Sequence, residues 1–205
     1  MSSKNINSQE KTDTRTRILV TTWQLMEEHH GQGVNMSDIA KAVGISRQAL
    51  YLHFASRTEL MIATLRYVDE VNGLDERLGQ LTGAAGIALL ESSVEVWGNY
   101  IPEIYGLAKV MLSTRDTDEA TAAAWDDRMG CLRDACQAII ETLAHEAILA
   151  PVWTPNEAIE MLWAMLSVSH WEQLTVECGW SNAQYIDWMK TTLRRAFVAE
   201  GASGG

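Results

Sequence analysis

Ser37-Asp-Ile-Ala-Lys-Ala-Val-Gly44-Ile-Ser46-Arg-Gln-Ala-Leu-Tyr51-Leu-His-Phe54 is the stretch whose reading decides the fold. Ile39, Ala40 and Val43 form one apolar stripe at helical spacing, and Leu50 with Phe54 forms a second. Gly44 lies between them, where a helix must end in a left-handed conformation that glycine adopts without a Cβ penalty. Ser46 has the hydroxyl of an N-cap, so a helix over 37–43 and another over 46–54 are expected, joined by a tight turn. Small Ala40 permits close approach of the second helix. Arg47, Gln48, Tyr51 and His53 lie off the apolar stripe. Arginine can pair bidentately with guanine and glutamine with adenine, while Tyr and His can donate to phosphate oxygens. The pattern therefore reads as a DNA-binding helix-turn-helix. It fits equally a solvated surface helix that follows a glycine turn.

Outward from this segment, apolar residues recur at spacings of three and four, and no stretch sustains period-2 alternation, so the chain reads as all-α. Pattern and stop signals predict nine helices, at 13–30, 37–43, 46–54, 56–78, 84–98, 101–114, 117–149, 155–178 and 182–199. Ser56-Arg57-Thr58-Glu59 and Ser181-Asn182-Ala183-Gln184 have the spacing of capping boxes. Thr154-Pro155-Asn156-Glu157 adds proline at the first helical position. Asp116, Asp118 and Glu119 sit where negative charge favours a helix start, which is a better reading than a metal site. Residues 1–12 and 200–205 are expected to be disordered tails around a DNA-binding domain at 13–58 and a larger domain at 59–199.

With 47% apolar residues the chain can bury a core. Cys131, Cys136 and Cys178 are too few for a disulfide framework and lack zinc-ligand spacing, which suits a reducing interior. The opening MSSKNINSQEKTD has no apolar leader core, and no apolar run reaches the ~18 residues of a membrane span, so cytoplasm is the default expectation. A formal net charge of −11 argues against DNA until its distribution is seen. Residues 1–60 carry seven Lys/Arg against six Asp/Glu, whereas residues 61–205 carry nine against 21. The acidity belongs to the second part.

From about Thr14 to Leu60 the chain closely resembles the N-terminal domain of the TetR family of bacterial regulators, above all in Ile39-Ala40-x-x-Val43-Gly44-Ile45-Ser46-x-x-x-Leu50-Tyr51-x-His53-Phe54-x-Ser56-Arg57-x-x-Leu60. The resemblance implies a three-helix DNA-binding domain and an all-α domain that dimerises and binds a small effector. It also implies repression, relieved when the ligand releases a near-palindromic operator, and no cofactor. By position, Ser37, Tyr51, His53 and Arg57 correspond to phosphate-contacting sites, and Ser46, Arg47, Gln48 and Ala49 to the start of the recognition helix and its base-facing side. Arg57 stands where the family usually has lysine, and Leu52 where it often has an aromatic or basic residue.

Seven of the eight tryptophans lie beyond residue 90. Such side chains build core, interfaces or apolar pockets. Trp97, Tyr100, Trp125, Met129, Trp163, Ser167, His170 and Trp171 are the expected effector contacts, and Glu91, Glu95 and Glu172 would suit a cationic or planar aromatic ligand. Apolar residues on more than one face of 155–178 and 182–199 call for a second partner, so these two helices are the expected homodimer interface. A P-loop, GxGxxG, HExxH and G-x-S-x-G are all lacking, which leaves an enzyme as the weaker reading, beside a regulator whose second part only dimerises.

Overall fold

The computed structural model describes residues 3–202, and side chains from residue 13 onward. Residues 1, 2 and 203–205, parts of the two expected tails, lie outside the described residues. The fold is all-α: ten α-helices, with no β-strand among the described residues and a single isolated bridge between Leu149 and Val198. None of the described helices is long and apolar enough to cross a membrane.

The chain divides into two compact units, each discontinuous in sequence: Met1–Asn72 with Ile104–Trp125, and Gly73–Glu103 with Asp126–Gly205. The first contains α1 (Ser3–Glu28), α2 (Met36–Val43), α3 (Arg47–His53) and α4 (Arg57–Val71). Ile18, Thr22 and Met26 of α1 are fully buried at four-residue spacing, beside Ile39 and Ala40 of α2, Leu50 and Phe54 around α3, and Leu60 and Val68 of α4. The caps explain the boundaries. Asn35 accepts from the Ser37 and Asp38 N–H groups while Asp38 reaches back to Asn35, so α2 starts one residue earlier than expected. Ser56 accepts from the Glu59 N–H at the start of α4, but the Glu59 carboxylate returns to Ala55 at 2.7 Å, one residue outside the expected box.

Besides α1, which begins at Ser3 inside the expected tail, four expected helices are drawn differently. The stretch 56–78 breaks after α4, because Gly73 turns left-handed (φ 61°) ahead of α5 (Leu74–Gly79). The stretches 84–98 and 101–114 form one helix, α6 (Gly86–Thr114), with Pro102 accommodated inside it. After α7 (Glu119–His145) and α8 (Pro155–Met165), Ser167 caps a new short helix, α9 (Val168–Glu172), which widens into a π-helical turn at Gln173–Glu177. α10 spans Asn182–Phe197. The capping box at Thr154 forms as expected, Ser181 accepts from the Gln184 N–H, and Asp118 accepts from the Thr121 N–H at 2.7 Å and from the Thr58 hydroxyl at 2.9 Å.

One contact inside the first unit has a pH signature. The Glu27 carboxylate accepts from the Gly106 N–H of α6 at 3.1 and 3.2 Å, and from that of Leu107. Burial outweighs those bonds and pushes the carboxyl from 4.5 up to about 7. The folded chain thus holds this proton more tightly than the unfolded chain. The penalty of ionising Glu27 is absent below pH 4.5, grows as pH rises towards 7 and is complete above it. Glu27→Gln is expected to stabilise the protein by about 2 kcal/mol at pH 8, allowing for partial exposure, and to be near neutral at pH 5. Urea unfolding at both pH values checks this; parallel pH dependence in variant and wild type would contradict it.

Candidate nucleic-acid interface

Gly44 (φ 78°, ψ 32°) ends α2 with its N–H directed to the Ala40 and Lys41 carbonyls, and Ser46 opens α3 by accepting from the Ala49 N–H at 3.0 Å. These are the turn and cap that the residues predict. Leu50 is fully buried and seats α3 on the unit. Successive residues are about 100° apart around a helix, which puts Gln48 and Leu52 opposite Leu50, with Tyr51 beside them and Arg47 at the flank. All four are exposed. Arg47 lies against the Tyr51 ring, 5.6 Å from its centroid, with a 3.4 Å hydrogen bond to the hydroxyl. Ala49 and His53 are half-buried and turn toward the rim of this face. Ser37 is exposed in the first turn of α2.

Two residues that the sequence reading passed over hold this surface in place. Arg15 donates to the His53 carbonyl at 3.1 Å and stacks on the Phe54 ring at 4.2 Å. Arg17 donates to the Val43 carbonyl at 2.8 Å. Each sets a cation at the C-terminal end of a helix, where orphan carbonyls and the helix dipole favour positive charge. Their targets are 38 and 26 residues away, so no local pattern marks them. Arg57 is half-buried and donates to the Val34 carbonyl at 3.3 Å, tying the start of α4 to the approach to α2; burial lowers its pKa.

Residues 18–64 match the model of the bacterial regulatory proteins of the tetR family. Over 202 residues, 97% of each chain, the protein is 25% identical to the HTH-type transcriptional repressor LfrR of Mycolicibacterium smegmatis. The likeness to the tetR family rests on the N-terminal segment, residues 18–64. The protein is also 35% identical to the nucleoid occlusion factor SlmA of a Marinomonas species over 63 residues, 31% of this chain and 32% of that one. Among solved structures, a Saccharomonospora viridis protein in complex with choline matches with a TM-score of 0.79 at 18% identity, covering 92% of this chain and 100% of that one. NalD of Pseudomonas aeruginosa, the secondary repressor of the MexAB-OprM multidrug efflux pump, matches with a TM-score of 0.66 at 18% identity, covering 94% and 100%. These structural likenesses carry the fold. The match at residues 18–64 and the repressor relative support a DNA-binding transcriptional regulator.

The residues expected around an effector divide between the units. Trp125 is buried in the first; Trp97, Tyr100, Met129, Trp163, Ser167, His170 and Trp171 are in the second. Most of their polar groups already have partners. Tyr100 accepts from Arg128 at 2.8 Å and meets the Trp97 ring edge-on, the Trp163 indole donates to the Met129 carbonyl, and that of Trp171 donates to Asn182. Ser167 serves as the cap of α9. His170 Nε2 and Tyr185 Oη differ: both are buried without a hydrogen-bond partner, on rings 6.5 Å apart, with Trp188 6.3 Å from His170 and Trp180 edge-on to Trp188. Burial lowers the His170 pKa and keeps the imidazole neutral near pH 7. Tyr185 lies outside the expected effector set because its helix, 182–199, is the one expected at the homodimer interface. The expected acidic surround is largely neutralised, since Glu95 pairs with Lys190 and Glu91 with Arg194. Of the cysteines, Cys131 and Cys178 are exposed, while Cys136 is buried with its thiol pushed up to about 12.

Proposed function

We propose that the protein is a homodimeric repressor that binds a near-palindromic operator in the cytoplasm and is released by a small aromatic or hydrophobic effector. The observation that carries the DNA reading is the outward face of α3, where Arg47, Gln48 and Tyr51 stand exposed on a helix anchored by Leu50 and held at its end by Arg15. On this reading Arg47 and Gln48 read base edges, with Ala49 at the margin, and Ser37, Ser46, Tyr51, His53 and Arg57 approach phosphates.

Dimerisation draws support from a correction to the expected pattern. Ile159, Leu162, Leu166, Trp171, Tyr185, Met189, Leu193 and Phe197 are already buried within the single chain. What remains exposed is a smaller set, Met161 on α8, Val176 on the π-turn and Trp188 on α10. A second copy packed against these helices would cover it and would supply the paired recognition helices that a palindrome requires.

For the effector, His170 Nε2 and Tyr185 Oη, buried without hydrogen-bond partners on neighbouring rings, favour a ligand able to hydrogen-bond among aromatic rings. The structural neighbour solved with choline supports a cationic version, through cation–π attraction. A regulator without an effector is the second reading, favoured by the internal partners of Tyr100, Trp163 and Trp171. Screening a library of aromatic and quaternary ammonium compounds by thermal shift, then measuring operator affinity by gel shift, separates the two. Compounds that stabilise the protein are expected to weaken operator binding ten-fold or more. Stabilisers that leave operator affinity unchanged would reject release by effector and favour the second reading.

A further inference from the structure

We infer that Leu52 is a specificity-determining residue that reads a thymine methyl group in the major groove; the inference rests on the proposal that α3 enters that groove. Leu52 is 78% exposed, although leucine is among the residues most often found inside a protein. It lies on the recognition helix between Tyr51 and His53, on the side that carries Gln48 and opposite Leu50. Among the described residues of the first unit, little covers it. A leucine side chain has no donor or acceptor, so it can neither bind a phosphate nor pair with the polar edge of a base. In the major groove the C5 methyl of thymine is the apolar group available, and it distinguishes T·A from the other pairs.

The placement also says where the thymine lies. Gln48 and Leu52 are four residues apart, which makes them neighbours along one face of α3. An adenine bound bidentately by Gln48 would therefore have the methyl-bearing base within one or two steps, on either strand. Arg47, one position before Gln48, is suited to guanine on the side away from Leu52. The three side chains form a short reading head of one cationic, one amide and one apolar element. The apolar element adds sequence discrimination without adding charge.

The test uses the full-length protein and an operator obtained by selection from random DNA. Each thymine is replaced in turn by uracil, which removes the methyl and nothing else, and affinity is measured by fluorescence anisotropy for wild type, Leu52→Ala and Leu52→Met. The expected result is one thymine per half-site whose replacement weakens wild-type binding about three- to ten-fold, whose penalty disappears in Leu52→Ala and is largely kept in Leu52→Met. Penalties at other thymines stay the same in all three proteins. If the wild type binds the operator and no uracil penalty depends on residue 52, the inference is overturned while the DNA reading stands. If the wild type selects no operator at all, both fall together. Because Leu52 is exposed, the variants leave the packing around Leu50 and Phe54 intact, and circular dichroism verifies this.

Discussion

Gly106→Ala is expected to lower the unfolding free energy by about 3 kcal/mol, the largest effect of any change considered. Helix propensity alone predicts the opposite sign, because alanine within a helix is favoured over glycine by about 0.5–1 kcal/mol. Packing decides the matter. A Cβ on Gly106 would overlap the Met26 carbonyl oxygen and come within 2.9 Å of the Glu27 backbone nitrogen. Both neighbours are main chain and cannot rotate aside, so α1 would have to move away from α6. That shift would break the Glu27 bonds to Gly106 and disturb α1, from which Arg15 and Arg17 reach the ends of α3 and α2. Urea unfolding reads the stability, and operator affinity is expected to fall with it. A midpoint at or above the wild-type value would show that propensity wins and that the helices can separate freely.

The second large effect contrasts two arginines. Arg47→Ala is expected to relax discrimination at one or two base pairs, at about 1–3 kcal/mol each, and to leave stability unchanged, because Arg47 is exposed and leans on Tyr51 one turn on. Arg57→Ala is expected to weaken binding to all sequences alike and to cost some stability. Arg57 reaches the Val34 carbonyl from a half-buried position, so its removal also loosens the approach to α2. Selection on random operators together with thermal melts reads both. Wild-type specificity and affinity in both variants would overturn the contact assignment.

The DNA-binding half of the fold was legible because its determinants are local. Gly44, Ser46 and the Leu50/Phe54 stripe act within a few residues of one another, and the turn, the cap and the buried face all form. Capping at Ser56, Asp118, Thr154 and Ser181 was legible for the same reason. Periodicity misled where a break leaves the apolar repeat intact. The repeat runs on through Asn72-Gly73 and through Ser167, yet the backbone turns at both places. Pro102 misled in the other direction, since a stop signal was absorbed inside α6. The clamps at Arg15 and Arg17 and the unpartnered pair at His170 and Tyr185 depend on contacts between segments remote in sequence, which spacing does not encode.

The way the arginines are used bears on how ionic strength will act on this regulator. Affinity for DNA that comes from neutralising phosphates is eroded by salt in proportion to the number of counterions displaced. Here Arg15, Arg17 and Arg57 direct guanidinium N–H groups to backbone carbonyls, and Arg47 leans on Tyr51. These four arginines thus brace the shape of the reading surface as well as carrying charge. Such a protein holds its site through fit and base contact more than through a cloud of positive charge, and its grip should persist as the surrounding electrolyte becomes more concentrated.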